Sequence, residues 1–356
     1  MKQLIFTTCV AFLFTITLRA QEPIFKRGGD RKIEGLKLLK KMNDASVIQT
    51  SIYFQNVTKR SIYVTEKNAL GGVLGGYAGS KSGGNAASAD LIAYLVFSDG
   101  EPNDTDYQKV TDEFYTYFNT KLLQAGIETV SWENFTSSKY FSKIKDEKDD
   151  EKTSQELKKK GNAWKIYIAN NGPHPIRYNP VNHNYNVPAV KGTVQMSNYG
   201  KEVKTGTLLA LNLVLDFADI FLEGDANSGK TERTFSTVEW KKSTVKYSVS
   251  PQLRVTNRHN GGNQVFVFDT KGKKFEEIYN VSDVYASKTI KASVEQDPSK
   301  IKRSKFLSSL PSMAQKHEID PFVVEVTKAE YFENVKSALE QYADELVKTI
   351  VKVKNQ

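Results

Sequence analysis

Apolar residues follow two different spacings along the chain, and the clearest examples of both lie between residues 91 and 132. LIAYLVF (91–97) is a continuous apolar run, typical of a strand covered on both faces. After a polar loop, apolar residues recur every three or four positions and predict an amphipathic helix: Tyr107, Val110, Phe114, Phe118 and Leu122. IETVSW (127–132) predicts a second strand. We therefore expect a β-α-β unit over 91–132, with Thr105 and Gln108 at the spacing of a capping box.

The remainder of the chain is dominated by strand patterns. WKIYIA (164–169), the alternating apolar positions from Leu209 to Phe217, and residues 245–249 each predict a strand, while VFVFDTKGKKFEEI (265–278) predicts a hairpin. After a further strand at 321–326, a capping-box pair precedes an amphipathic stripe: Thr327 and Glu330, then Phe332, Val335, Leu339, Tyr342, Leu346 and Ile350. The predicted fold class is α/β (α+β), a mixed sheet with a β-rich second half and a C-terminal amphipathic helix.

Three segments interrupt these patterns. Residues 70–85 are rich in glycine, residues 143–160 form a charged insertion, and residues 170–190 form a loop rich in Asn and Pro. A short amphipathic helix is predicted earlier, over 30–43. We expect residues 21–356 to form a single exported α/β domain that carries the three segments outside its core.

The amino terminus has the layout of a cleaved secretory signal. In residues 1–20, Lys2 precedes an apolar stretch from Leu4 to Leu18, which Arg19 and Ala20 follow. Cleavage after Ala20 would also remove Cys9. The remaining chain, without cysteine, is typical of the bacterial periplasm or outer membrane and not of a disulfide-rich animal protein. Cys9 lies within the apolar stretch, which does not suit lipid attachment. No later apolar run reaches the length of a transmembrane helix.

Composition excludes some function classes. The chain is 39% hydrophobic and 11% aromatic, which excludes a wholly disordered protein, and its formal net charge is +9. Without Lys2 and Arg19 the net charge is +7, from 48 basic and 41 acidic residues. The basic residues are spread out and accompany no nucleic-acid-reading motif, so we expect no nucleic-acid partner. Clusters such as that at 300–305 leave anionic lipid or lipopolysaccharide as an alternative partner.

An acidic loop follows the strand at 91–97. Asp99, Glu101, Asn103 and Asp104 suggest a metal site, with calcium as the ion, because carboxylate and amide oxygens at alternate positions resemble a calcium-binding loop. The glycine and the final glutamate of such a loop are absent. A second interpretation is that these acids stabilise the N-terminus of the following helix.

GDANSGKT (224–231) matches the phosphate-binding pattern G-x-x-x-x-G-K-[ST]. In such a loop Gly224 and Gly229 permit the turn, Lys230 reaches the phosphates and Thr231 binds magnesium. The following residues lack the apolar stripe of the required helix, so a Gly/Asn turn between strands is the alternative. No nucleophile motif occurs elsewhere, and we name no catalytic residue.

Several segments together resemble CsgG-like and TolB amino-terminal-like domains of the bacterial envelope. LIAYLVF, FNTKLLQAG (118–126) and IETVSW resemble their first strand, helix and second strand, and WKIYIA resembles the next strand. VFVFDTKGKKFEEI is similar to their hairpin, and SALEQYADELVKTI (337–350) to their closing helix. The resemblance implies an α/β domain that works by protein contact or assembly, and it carries over no catalytic residues.

We therefore expect a non-enzymatic, exported envelope protein that binds a protein partner or assembles, including with copies of itself. The alternatives are a metal- or ligand-dependent enzyme or binding protein that uses residues 99–106 or 224–231, and a protein that binds anionic lipid.

Overall fold

Long strands account for most of the architecture. This computed structural model describes residues 25–26, 42–65, 86–131, 133–134, 137–139, 154–170, 202, 207–225, 244–256, 264–269, 275–280, 284–297, 299 and 314–355. The strands within these residues are β1 (Phe25–Lys26), β2 (Asp44–Thr65), β3 (Ala86–Phe97), β4 (Glu128–Thr129), β5 (Ser154–Lys159), β6 (Asn162–Ile168), β7 (Thr207–Asp225), β8 (Thr244–Thr256), β9 (Gln264–Asp269), β10 (Phe275–Asn280), β11 (Val284–Thr289), β12 (Ser293–Gln296), β13 (Ala314–His317) and β14 (Phe322–Val326). The long helices are α1 (Asp104–Gln124) and α2 (Lys328–Lys354).

The strands form one branched sheet of mixed direction. Its longest path runs in the order β1-β10-β9-β7-β2-β3-β14-β12, and the other strands attach along its sides. β2 is parallel to β7 but antiparallel to β3 and β6, whereas β3 is parallel to β13 and β14. The predicted class, a mixed sheet combined with helices, is confirmed.

Two long strands curl this sheet. The first part of β2 pairs with β6 and β7, and residues 57–65 pair with β3. β7 likewise pairs first with β9 and then, through residues 214–225, with β8. The register shifts between Gln55 and Val57 in β2 and between Asp216 and Ala218 in β7. Because a bulge bends its strand, these shifts are points where the sheet can turn back on itself.

The far ends of β2 and β7 meet face to face. A Cβ atom placed on Gly224 would lie 2.7 Å from Cδ1 of Ile62, so the two strands approach closely there and a larger residue would require the Ile62 side chain to shift. Nearby, Nη1 of Arg60 donates a hydrogen bond of 2.6 Å to the carbonyl oxygen of Ile220. The sheet thus encloses an inner face, and its other side is called the outer face below.

Apolar side chains fill the inner face and the helices close it. Alternate residues of β7 are buried there, as its alternating pattern predicts. Alternate residues of β3 are buried there too, but Ile92, Tyr94 and Val96 on its other face are only partly buried, so β3 is not covered on both faces as its continuous apolar run predicts. All five apolar residues of the predicted stripe on α1 are buried, and Thr111 joins them. On α2, Val335, Leu339, Tyr342, Leu346 and Ile350 are buried and Phe332 packs against the core, which confirms the C-terminal amphipathic helix. Burial of one such side chain contributes about 1.5–3 kcal/mol.

The two helices lie side by side because of the strands that precede them. β3 leads into α1 and β14 leads into α2, and these strands are adjacent and parallel. Both helices therefore begin at the same edge of the sheet and run in the same direction. The predicted order of strand, helix and strand over 91–132 is present, but the second strand, β4, has two residues and pairs with the start of β2.

Local details differ from the sequence-based expectations in two places. The capping box of α1 is formed by Asn103 and Asp106, two residues before the predicted Thr105 and Gln108. The last part of the charged segment 143–160 is strand β5, which turns into β6 through Lys160 and Gly161, both at positive φ. A two-residue turn with both residues at positive φ matches the twist of the two strands that it joins. Charged residues are common on a strand that lies at an exposed edge of a sheet.

Other predicted features lie outside the described residues. They are the signal segment 1–20, nearly all of the helix at 30–43, the Gly-rich segment 70–85, most of the loop at 170–190, and the turn at Lys271-Gly272. The strands that flank this turn, β9 and β10, are antiparallel as the hairpin pattern predicts.

Candidate functional site

An open groove of roughly 800 Å³ runs between α1 and α2. Its lining comes mostly from one face of α1, where three threonines and Tyr117 alternate with charged residues. The charged residues of the lining are Lys109, Asp112 and Glu113 from α1 and Lys336 and Glu340 from α2. The groove therefore presents both signs of charge together with methyl groups and an aromatic ring.

Ion pairs join the two helices along this groove. Nζ of Lys336 lies 3.1 Å from Oε2 of Glu113, and this hydrogen bond raises the pKa of Lys336. Further along, Nζ of Lys121 lies 2.9 Å from Oδ1 of Asp344, which raises the pKa of Lys121. The Tyr117 hydroxyl donates to the same oxygen at 3.0 Å. The charged side chains of these pairs are between 30% and 52% exposed, so water screens the pairs and they can separate with little loss of free energy.

Asp112 ties the wall of the groove to the end of strand β6. Its Oδ1 accepts a hydrogen bond of 2.6 Å from the backbone N–H of Asn170 and one of 3.1 Å from Nε2 of Gln108. Gln108 also donates to the carbonyl oxygen of Ile168 at 2.7 Å. These bonds hold one wall of the groove in a fixed position relative to the sheet.

The acidic loop lies at the end of the groove where both helices begin. Oδ1 of Asp99 accepts a hydrogen bond of 2.9 Å from the backbone N–H of Lys328, the first residue of α2. Asn103 caps α1 by accepting from the N–H of Asp106 at 3.0 Å. Asp104 accepts a bond of 2.6 Å from the Tyr167 hydroxyl. These bonds place the loop's acceptors at helix N-termini, where negative charge is favoured.

Among the described residues, the side chains of this loop do not form a cluster of calcium ligands. Glu101 is exposed there, and Asp99, Asn103 and Asp104 make the separate hydrogen bonds given above. Within that part of the chain, no three His, Cys, Asp or Glu side chains are grouped so that they could hold a metal ion. Calcium binding by this loop stays a prediction.

Beneath the loop, aromatic residues connect the start of α1 to the sheet. The rings of Tyr107 and Tyr167 stack with centroids 5.1 Å apart, and Nζ of Lys165 lies 5.0 Å from the centroid of Tyr107. Burial raises the pKa of both tyrosines well above 10, and the carboxylate of Asp104 raises both further. Both hydroxyls stay protonated at neutral pH, so Tyr167 can donate to Asp104.

The phosphate-loop-like motif is described only at its start. Gly224 lies inside β7 and pairs with Val245 of β8, whereas Gly229, Lys230 and Thr231 lie outside the described residues. β7 and β8 are antiparallel, with Asp225 opposite Thr244. A phosphate-binding loop joins its strand to a helix that packs beside it. The antiparallel flanks favour the other interpretation, a connection between two strands. Gly224 lies where the backbone of β7 closely approaches the Ile62 side chain.

The outer face of the sheet carries buried charges that the sequence did not indicate. Nζ of Lys59 lies 2.8 Å from Oδ2 of Asp90, and Nη1 of Arg254 lies 2.6 Å from Oδ1 of Asp219. Nη2 of Arg254 is 3.7 Å from Oδ2 of Asp216, whose side chain is 4% exposed. No sequence motif predicts these pairs, because their members are distant in sequence and only the pairing of the strands brings them together.

The groove was also missed by sequence reasoning. The apolar stripe of α1 predicts the side that packs into the core, and polar residues on the opposite side of the same helix form the wall of the groove. Its threonines and charges at Thr105, Lys109, Asp112, Thr116 and Thr120 recur at three- and four-residue intervals, and this is a signal that the sequence does contain.

No family model, no curated protein and no solved structure matches this chain. Among the described residues, neither long helix is apolar enough over a sufficient length to cross a bilayer.

Proposed function

We propose that this protein is a non-enzymatic, exported component of a bacterial cell envelope, and that it binds another protein through the groove between α1 and α2. The observation that carries the proposal is the lining of that groove. It combines the charged side chains of Lys109, Asp112, Glu113, Lys336 and Glu340 with threonine methyl groups and the Tyr117 ring. Mixed polar and apolar composition of this kind is typical of surfaces that bind proteins transiently.

The groove suits a protein segment better than a small molecule or a lipid. A pocket for a small molecule encloses most of its ligand, whereas this groove is open to solvent along the two helices. Anionic lipid would require an excess of positive charge, but the lining has three acidic residues against two lysines. The ion pair between Lys336 and Glu113 can open and re-form with charges of a partner, since both side chains are exposed.

The proposal of export depends on the sequence pattern of residues 1–20. We expect the mature protein to begin at Gln21. Mass spectrometry of the protein isolated from the envelope fraction tests this, and an intact Met1 or a cytoplasmic location would contradict it.

Site-specific photo-crosslinking tests the groove. A photoreactive amino acid at Thr116, in the groove, should give a discrete adduct with an envelope protein. The same substitution at Leu123 should not, because Leu123 is an exposed residue of α1 outside the groove lining. Lys336→Glu should abolish the Thr116 adduct, because it places like charges beside Glu113. Equal labelling at both positions, or none at either, would contradict the proposal.

The alternative functions give different results in simple binding assays. A calcium-dependent rise in Tm that Asp104→Asn removes would favour a metal site in the acidic loop. A nucleotide-dependent rise that Lys230→Ala removes would favour the phosphate-loop hypothesis. Salt-sensitive binding to anionic vesicles would favour lipid recognition.

A further inference from the structure

Strand β5 forms an edge of the sheet whose side chains reach far into solvent. Within the described residues it pairs with β6. The side chains of Glu156 and Lys158 are 65% and 77% exposed, and Nζ of Lys158 lies 3.5 Å from Oε2 of Glu156. An exposed edge offers unpaired N–H and C=O groups to another strand.

The hairpin geometry determines which backbone groups of β5 face outward. Lys159 and Asn162 flank the two-residue turn and are paired, and residues that flank such a turn exchange both of their hydrogen bonds. Every second residue from there, Leu157 and Gln155, also directs its N–H and C=O toward β6. The backbone groups of Ser154, Glu156 and Lys158 therefore point to the free edge.

The charge pattern of these outward residues is self-complementary in one register. If two copies of β5 pair antiparallel with Leu157 opposite Leu157 of the other copy, each Glu156 lies opposite a Lys158. A shift of the pairing in one direction places Glu156 opposite Glu156, and a shift in the other places Lys158 opposite Lys158. Opposite charges across two strands stabilise the pairing, and like charges destabilise it.

We propose that the β5 edge binds the β5 edge of a second copy of this chain, antiparallel, around a two-fold axis that passes through the Leu157 pair. The two sheets become continuous, as expected for an isologous interface. Leu157 packs at the edge of an outer-face cluster formed by Tyr53, Trp164, Ile166 and Val214, and the partner's Leu157 extends that cluster.

The contact is small, so the dimer is weak. Six residues on each side bury less than the area of a standard stable interface, and we expect a monomer–dimer equilibrium in the micromolar range. The positive charges of Lys158 and Lys160 hinder pairing with unrelated strands, which is how charged edges ordinarily avoid aggregation. The inference does not depend on the groove between α1 and α2.

Charge reversal tests the register, with sedimentation velocity over a range of concentrations as the measurement. Glu156→Lys and Lys158→Glu should each raise the dimer dissociation constant about tenfold, because each creates two like-charged pairs across the axis. The double variant E156K/K158E should dimerise like the native chain. A mixture of the two single variants should form heterodimers, since every cross-strand pair is then opposite in charge.

Glu295→Lys provides the matched control, because it makes the same charge change on an exposed residue of another short strand, β12. It should leave the dissociation constant unchanged. Circular dichroism should show that all variants remain folded. The proposal is overturned if the native chain stays monomeric at every concentration, if Glu295→Lys acts like Glu156→Lys, or if neither the double variant nor the mixture restores dimerisation.

Discussion

The outer face of the sheet and the groove between the helices both contain ion pairs, but the two sets differ in their exposure to water. On the outer face, the side chains of Arg254 and Asp216 are 5% and 4% exposed. In the groove, Lys336 and Glu113 are 52% and 39% exposed. A charge removed from water depends on its neighbours for stabilisation, whereas an exposed charge keeps its hydration when its partner leaves.

This difference separates structural charges from charges that are free to bind. The Arg254 guanidinium also donates to the carbonyl oxygen of Ala218 at 2.9 Å, beside the bulge of β7, so it fixes the bend on which the curled sheet depends. Among the described contacts, Lys336 donates a hydrogen bond to the Glu113 carboxylate and none to a backbone carbonyl oxygen. A partner can therefore replace the Lys336–Glu113 pair without disturbing the fold.

The largest effect should come from Arg254→Met. The substitution keeps an apolar stem but leaves the buried Asp216 carboxylate without the neighbouring guanidinium. We expect the free energy of unfolding to fall by about 3–5 kcal/mol, measured by denaturant titration. Addition of Asp216→Asn to the same chain should recover part of the loss, because the buried negative charge is then gone. A loss below about 1 kcal/mol would contradict the structural assignment of this pair.

Alkaline pH should destabilise the protein through its buried tyrosines. Burial raises the pKa of Tyr331 and Tyr342 well above 10.0, as it does for Tyr107 and Tyr167. Below pH 10 these groups are protonated in both states and contribute no pH dependence. Above pH 10 the unfolded chain loses protons that the folded chain retains, so the free energy of unfolding falls by about 1.4 kcal/mol per pH unit for each such tyrosine.

Tyr331→Phe should make the free energy of unfolding depend less steeply on pH above pH 10, by the contribution of one tyrosine, about 1.4 kcal/mol per pH unit. The Tyr331 hydroxyl is fully buried and has no hydrogen-bond partner in the described structure, so its removal should also leave the protein at least as stable at neutral pH. Denaturant titrations at neutral pH and at several values above pH 10 give both quantities. An unchanged slope would show that Tyr331 ionises without unfolding.

A smaller effect is expected where α1 begins, beside the groove. Asn103→Ala removes the side chain that accepts from the N–H of Asp106, and should lower the free energy of unfolding by about 1 kcal/mol. Thr105→Ala should cost less, because Thr105 donates to Asn103 and does not cap the helix. Equal losses of stability, or a greater loss for Thr105→Ala, would instead indicate that Thr105 and Gln108 form the capping box, as the sequence pattern predicts.

The case of Asn103 shows what the sequence could and could not predict. Periodicity identified α1 and its buried stripe because both depend on residues within a few turns of each other. The first residue of the helix was predicted two residues too late, because the spacing of Thr105 and Gln108 matches the capping-box pattern whereas the structure uses Asn103 with Asp106. Strand β5 falls in the charged segment 143–160, which the sequence pattern predicts as an insertion, because a strand on an exposed edge can carry charged residues without an apolar pattern.

Contacts between distant segments were beyond prediction for a different reason. The sequence placed Asp99 in a loop, but its hydrogen bond to Lys328 exists because β3 and β14 are adjacent, and no local pattern specifies that pairing. The buried charges on the outer face have the same origin. The groove, in turn, requires both helices to start at one edge of the sheet, which follows from the parallel pairing and not from either helix alone.

The smallest effect on stability should come from Lys336→Gln, and it should be accompanied by a clear effect on binding. Loss of an exposed ion pair should lower the free energy of unfolding by only a few tenths of a kcal/mol. The yield of the Thr116 crosslink should nevertheless fall, since the partner loses a charged contact in the groove. Denaturant titration of this variant gives the free energy of unfolding, and crosslinking of the same variant gives the yield of the adduct. A stability loss comparable to that of Arg254→Met would mean that the groove pair is structural, and the distinction between the two regions would fail.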